Sequence, residues 1–192
     1  AKNYRNKLGS YYTPANFAKS VTVKTIDTFF ELNFGNVGKE FLNEISSITF
    51  TDFSCGGGNF IIAVIDYFEI LFEKWNIGDE NKLDLLKAIA LNISAFDVDC
   101  LALEVAKLNL LLRIKKPFLY NSLSENFIHA NFLLQSDFAV DEFKKVDVFS
   151  SGFIYHEQLS LSKAKLKNYD VVLGNPPWEK IRFEEKKFYA LY

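Results

Sequence analysis

The chain has 192 residues, 49% of them hydrophobic, with a formal net charge of −2 and an isoelectric point near 5.8. It is long enough to bury one sizeable core and too apolar to be disordered. Its slightly acidic balance argues against gripping nucleic acid through overall charge and leaves only a local basic face for that purpose. No apolar run approaches the ~20 residues that span a bilayer, and the start does not resemble a signal peptide, so no membrane role is expected. Two cysteines, Cys55 and Cys100, make neither a disulfide framework nor a metal cluster, which points to a reducing cytoplasm and no metal. Methionine is absent even at position 1, so an excised or processed segment is expected.

The chain opens with Lys7-Leu8-Gly9-Ser10-Tyr11-Tyr12-Thr13-Pro14, loop-like until Thr13, which suits an N-cap, and Pro14, which suits the first position of a helix. Phe17, Val21, Ile26 and Phe29 give that helix an apolar stripe to about Asn33. A turn with Gly35 and Gly38 leads to a short helix near Glu40 to Ile45. Ser47 to Phe53 reads as a strand, ending in Asp52-Phe53-Ser54-Cys55-Gly56-Gly57-Gly58-Asn59-Phe60. The helix after it is apolar nearly all round, with Ile61, Ile62, Val64, Ile65, Phe68 and Leu71, and is expected to be well buried.

Asp79 to Leu91 reads as another helix and Asn92 to Phe96 as a strand ending at Asp97-Val98-Asp99. From Cys100 to about Ile114 a helix is expected, with Leu101, Val105, Leu108 and Leu112 as its stripe and Pro117 beyond its end. Asn126 to His129 suits a third strand, and 135–168 a set of Lys-rich loops. Val171-Val172-Leu173 is a buried strand stopped by Pro176 and Pro177, which cannot donate to a sheet ladder. Strands alternating with helices predict an α/β fold with a doubly wound, mainly parallel sheet. One domain over 1–192 is expected, with a helical lead-in over 1–46 and a sheet incomplete at its carboxyl end.

The Gly56–Gly58 turn lets a ligand approach bare backbone. A dinucleotide loop would want G-x-G-x-x-G, but Ile61 stands where the third glycine would fall, and the carboxylate of Asp52 would repel phosphate. Asp97 follows the next strand, where an acid can accept from ribose hydroxyls; either Asp97 or Asp99 can instead cap the following helix. A cationic ligand with a ribose and no phosphate fits both sites, and S-adenosylmethionine is such a ligand. Cys55 and Cys100 lack a nearby His and read as structural, and His129 and His156 as ordinary polar residues. Lys144-Lys145 and Lys163 to Lys167 read as a solvated face.

Three blocks in order, Gly9-Ser10-Tyr11-Tyr12-Thr13-Pro14, Asp52 to Phe60, and Asn175-Pro176-Pro177-Trp178, resemble the adenine-specific (N6) DNA methyltransferases of bacterial restriction–modification systems. They are scattered over nearly the whole chain, and the resemblance is to the amino-terminal catalytic portion of such enzymes, including those fused to an endonuclease. It implies a Rossmann-like fold that uses S-adenosylmethionine and acts on double-stranded DNA, with target-recognition and endonuclease parts either fused or separate. It implies that Tyr12 and Thr13 hold the cofactor's methionine end and that Asp52, Ser54, Cys55, Gly56 and Gly58 pass beneath the cofactor. It further implies that Asp97 binds the ribose and that Asn131 stands where the family often has an Asp facing the adenine amino group. An Asn carbonyl can accept the same hydrogen bond. Phe53 replaces the family's usual proline.

The resemblance makes Asn175, Pro176, Pro177 and Trp178 the catalytic loop. The adenine amine is a poor nucleophile because its lone pair is delocalised into the ring. The Asn175 side-chain oxygen and the Pro176 carbonyl would accept its hydrogens, Pro177 would stiffen the loop, and Trp178 would stack on the flipped base. Other expectations stay open: a methyltransferase for RNA bases or protein glutamine, which uses a similar loop, and a non-catalytic cofactor- or DNA-binding fragment. A nicotinamide dehydrogenase fits least well, because of Asp52 and Ile61. In a doubly wound sheet the strand before Asn175 would lie beside the strand before Gly56, at the switch point.

Overall fold

Four short, largely apolar segments form the sheet in a computed structural model of the chain, which describes residues 13–35, 37–130 and 168–176. They are β1 (Phe50–Asp52), β2 (Ile93–Asp97), β3 (Phe127–His129) and β4 (Val171–Leu173). All described pairings are parallel, in the order β3-β2-β1-β4. This is the doubly wound, Rossmann-like α/β architecture that the alternation of strands and helices predicts. β1 is shorter than the Ser47–Phe53 pattern and β3 begins one residue later than expected, β2 is shifted by one residue at the same length, and β4 coincides with Val171-Val172-Leu173.

The order reverses between β1 and β4, so the two strands flank the switch point where open α/β sheets bind ligands. Register places Phe50 opposite Val171 and Asp52 opposite Leu173. A side-chain clasp fixes it at the strands' amino ends. The Asp170 carboxylate accepts from the Thr49 N–H at 2.8 Å and the Thr49 hydroxyl at 2.7 Å, across 121 residues of sequence.

The helices among the described residues are α1 (Ala15–Asn33), α2 (Leu42–Ser47), α3 (Asn59–Lys74), α4 (Asp79–Leu91), α5 (Cys100–Ile114) and α6 (Tyr120–Ser124). Single 3₁₀ turns precede α2 and α6. A chain of rings joins α1, α3 and β1: Phe30 packs on Phe68 at 6.3 Å, and Phe68 on Phe50 and Phe72 at 5.8 Å each. Such pairs contribute roughly 0.5–1.5 kcal/mol each beyond their area burial. The Arg113 guanidinium on α5 reaches Asp66 at 2.6 Å and also Glu69, tying α5 to α3.

Two faces differ from expectation. On α5 the expected stripe of Leu101, Val105, Leu108 and Leu112 points outward, Leu112 being 75% exposed, while Leu103, Ala106, Lys107, Leu110, Leu111 and Ile114 are buried. The helix carries apolar residues on more than one face, and periodicity alone does not choose between them. Small Ala106 decides the matter, because only a small side chain lets α5 close on the backbone at Gly58. Buried Lys107 is compensated by Glu104 at 2.8 Å and Ser124 at 3.1 Å. On α1, Phe17 is exposed and Ala18, Thr22, Ile26 and Phe30 face the core. The start of α1 also shifts by one residue: Pro14 occupies the cap position with no side-chain cap, and Thr13 makes its hydroxyl contact elsewhere.

Gly58 has φ +86°, and a Cβ there would lie 3.0 Å from the Ala106 Cβ and 3.1 Å from its Cα. Gly58→Ala is therefore expected to lower stability by roughly 1–4 kcal/mol. Gly57→Ala, with nothing within 4 Å of the new Cβ, is expected to cost less than about 1 kcal/mol. Urea denaturation midpoints of the two variants measure the difference.

Candidate functional site

Three strand ends and one helix start meet at the carboxyl edge of the sheet. Asp52 is the last residue of β1 and Asp97 the last of β2, while Gly174, Asn175 and Pro176 leave β4. Gly174 lies directly over Asp52: a Cβ on it would stand 2.7 Å from the Asp52 Oδ1, and its φ is +153°. Only glycine fits there. The close approach sets the start of the 174–176 loop against the β1 carboxylate.

The loop from Ser54 to Gly58 is held by its own backbone. The N–H of Ser54 donates to Asp52 Oδ1 at 2.9 Å, that of Cys55 to the Phe96 carbonyl at 2.9 Å, and that of Gly56 to Asp97 Oδ2 at 2.7 Å. The N–H of Gly58 closes the turn onto the Cys55 carbonyl at 2.8 Å, and Asn109 on α5 donates to the Gly57 carbonyl at 3.0 Å. A phosphate cradle presents free N–H groups to its anion. Here those four are already engaged within the protein. What the loop offers instead is bare backbone, with open space beside Gly56 and Gly57.

The electrostatics agree with that reading. Asp52 is 2% exposed, and its Oδ2 is buried without a hydrogen-bond partner. Burial pushes its carboxyl up to about 7, opposed by the Ser54 N–H and aided by the charge of Asp97. Burial likewise raises the Asp97 carboxyl, against hydrogen bonds from the N–H groups of Asp99 and Gly56. Two partly desolvated acids side by side disfavour an anion and favour a cation. A carboxylate offers more lone pairs than the N–H groups of Asp99, Gly56 and Val98 consume on Asp97, so a hydroxyl donor can still be accepted there. Asp99, not Asp97, caps α5, accepting from the N–H groups of Leu101 and Ala102. These are the features a cationic, phosphate-free nucleoside such as S-adenosylmethionine requires, so the residues present fit that group.

Asn175 donates from Nδ2 to the Thr13 hydroxyl at 3.2 Å, and Asn59, the first residue of α3, donates to the Thr13 carbonyl at 2.6 Å. The structure thus brings Thr13, Asp52, Ser54, Cys55, Gly56, Gly58, Asp97, Asn175 and Pro176 to one edge. Tyr12, Asn131, Pro177 and Trp178 lie outside the described residues, as do His156, Lys144-Lys145 and Lys163 to Lys167. Cys55 is buried, and burial raises its thiol well above the ordinary range, which disfavours the thiolate form. His129 is held by the Val98 carbonyl at 2.9 Å. Asn59 lies in the glycine-turn block and Gly174 just ahead of Asn175, but no sequence pattern assigned either a partner.

The family model described as Eco57I restriction-modification methylase matches residues 91–192, just over half of the chain. No match was found among curated proteins or among solved structures. Among the described residues no helix is long and apolar enough to cross a membrane.

The raised Asp52 carboxyl has a stability consequence. Its ordinary value is 3.8 and its folded value about 7, so its contribution is fully present below pH 3.8 and lost as pH rises through about 7. Asp52→Asn removes that loss. Urea denaturation of wild type and variant should show the variant gaining on wild type by on the order of 1–3 kcal/mol between about pH 4.5 and 8.

Proposed function

Because the chain belongs to the Eco57I restriction-modification methylase family, we propose that it methylates the exocyclic N6 of an adenine flipped out of duplex DNA, with S-adenosylmethionine as donor. The observation that carries this reading is the contact of Gly174 with Asp52, which sets Asn175 beside the glycine loop and its two acids. When bound, S-adenosylmethionine supplies an electrophilic methyl on a sulfonium. The chain's own residues do the rest. The buried Asp52 carboxylate would favour the ligand's positive charge through space, the Gly56–Gly57 backbone would hold it, and Asp97 would accept from the ribose.

The reacting amine needs help because its lone pair is spread into the purine ring. Asn175 Oδ1 and the Pro176 carbonyl would accept its two hydrogens, which would localise the lone pair on nitrogen for methylation, and one of those hydrogens would then leave as a proton to water. No covalent enzyme intermediate is required; the contribution is positioning plus electrostatics fixed before reaction. Trp178 stacks on the extruded base, and stacking worth roughly 1–3 kcal/mol offsets part of the few kcal/mol of extrusion.

The test is methyl transfer by the full-length protein from labelled S-adenosylmethionine, with duplex DNA, RNA and protein offered in competition. DNA should take the label. Asn175→Ala should lower the single-turnover rate by roughly 10²–10³-fold, and Trp178→Ala by roughly 5–150-fold. Label on RNA or protein in preference to DNA, or full activity in both variants, would overturn the reading.

A further inference from the structure

Thr13 stands 162 residues from Asn175 in sequence and is hydrogen-bonded to it. Its hydroxyl does not cap α1; it receives the Asn175 Nδ2 at 3.2 Å. Thr13 is itself held in place. Asn59 Nδ2 grips its carbonyl at 2.6 Å, and Pro14 restricts its backbone to extended conformations. The Pro14 carbonyl is in turn anchored, accepting the Phe17 and Ala18 N–H groups at 3.0 Å each. Asn59 follows Gly58 directly and begins α3, so its position is fixed by the glycine turn.

From this geometry we infer that Thr13 and Asn59 are positioning residues for the Asn175 amide. The nitrogen and oxygen of a planar amide diverge from one carbon, so a nitrogen drawn to Thr13 turns the oxygen away from it. That oxygen is the acceptor the reacting amine requires. The series glycine turn, Asn59, Thr13, Asn175 makes a physical link from the loop beneath the cofactor to the group facing the substrate. The inference rests on the reading of Asn175 as that group. It gives Thr13 a role distinct from holding the cofactor's methionine end, and it gives Asn59 a role that no motif assigned.

Two isosteric substitutions separate these roles. Thr13→Val keeps the shape and loses the hydroxyl. Asn59→Asp loses the donor to the Thr13 carbonyl, and an acid at a helix start is tolerated or stabilising, so the variant should fold. Each should lower the single-turnover methylation rate of the full-length protein about tenfold. Cofactor affinity, measured by calorimetry, should stay within about twofold of wild type. Thr13→Ser should restore the rate. In a double-mutant cycle, Thr13→Val should add little to Asn175→Ala, because the interaction is already gone. A loss confined to cofactor affinity, or losses that simply add, would overturn the inference.

A second readout does not depend on turnover. The Asn175 side-chain amide signals, assigned by their absence in Asn175→Ala, should shift and exchange faster with solvent in Thr13→Val and Asn59→Asp. Unchanged signals overturn the positioning role even if wild type methylates adenine. Shifted signals in a wild type that does not methylate adenine would instead sink the proposed reaction and leave the positioning role standing.

Discussion

The parallel pairing of β1 with β4 is the constraint on which the site depends. The two strands are 121 residues apart at the Asp170–Thr49 clasp, and nothing local in sequence joins them. Once they pair, Gly174 is set on Asp52, and Asn175 comes off the sheet beside the glycine turn. A slip of the β4 register by one residue would send Leu173 and Val171 to the other face and take Asn175 out of reach. The clasp at the amino ends and the Gly174–Asp52 contact at the carboxyl ends guard that register from both sides.

The chemistry at this edge is shaped by what the backbone has already used. Because the loop N–H groups at Ser54, Cys55, Gly56 and Gly58 are bonded internally, these four do not form a cradle for an anion. The carboxyls of Asp52 and Asp97 then decide the sign of the ligand. Asp52 bears the larger cost, being buried with one oxygen unpartnered. A cation beside it would relieve that cost, which links ligand binding to the stability of the sheet edge.

How much of this was legible in the sequence varies with the physics behind each feature. The bounds of α5 were readable from a candidate acid cap before Cys100 and Pro117 beyond its end, while the left-handed Lys115 that ends it was not. Its buried face was not, because helical periodicity is satisfied by two stripes and the choice was made by Ala106 against Gly58. Asp52, Asp97 and Asn175 were placed at strand ends correctly, since apolar runs terminate there. Thr13 was expected to cap a helix, a local role, and instead bonds to a residue 162 positions away. The competition between a local cap and a tertiary partner is not visible in a window of sequence. The same holds for Asp52: its motif position was plain, but its burial depends on β4 crossing over it.

Nucleoside analysis reads directly which atom receives the methyl group. Duplex DNA treated with the full-length protein and labelled S-adenosylmethionine would be digested to nucleosides and separated by mass. The label should appear as N6-methyladenine. Label in a methylated cytosine, with none in adenine, would contradict it.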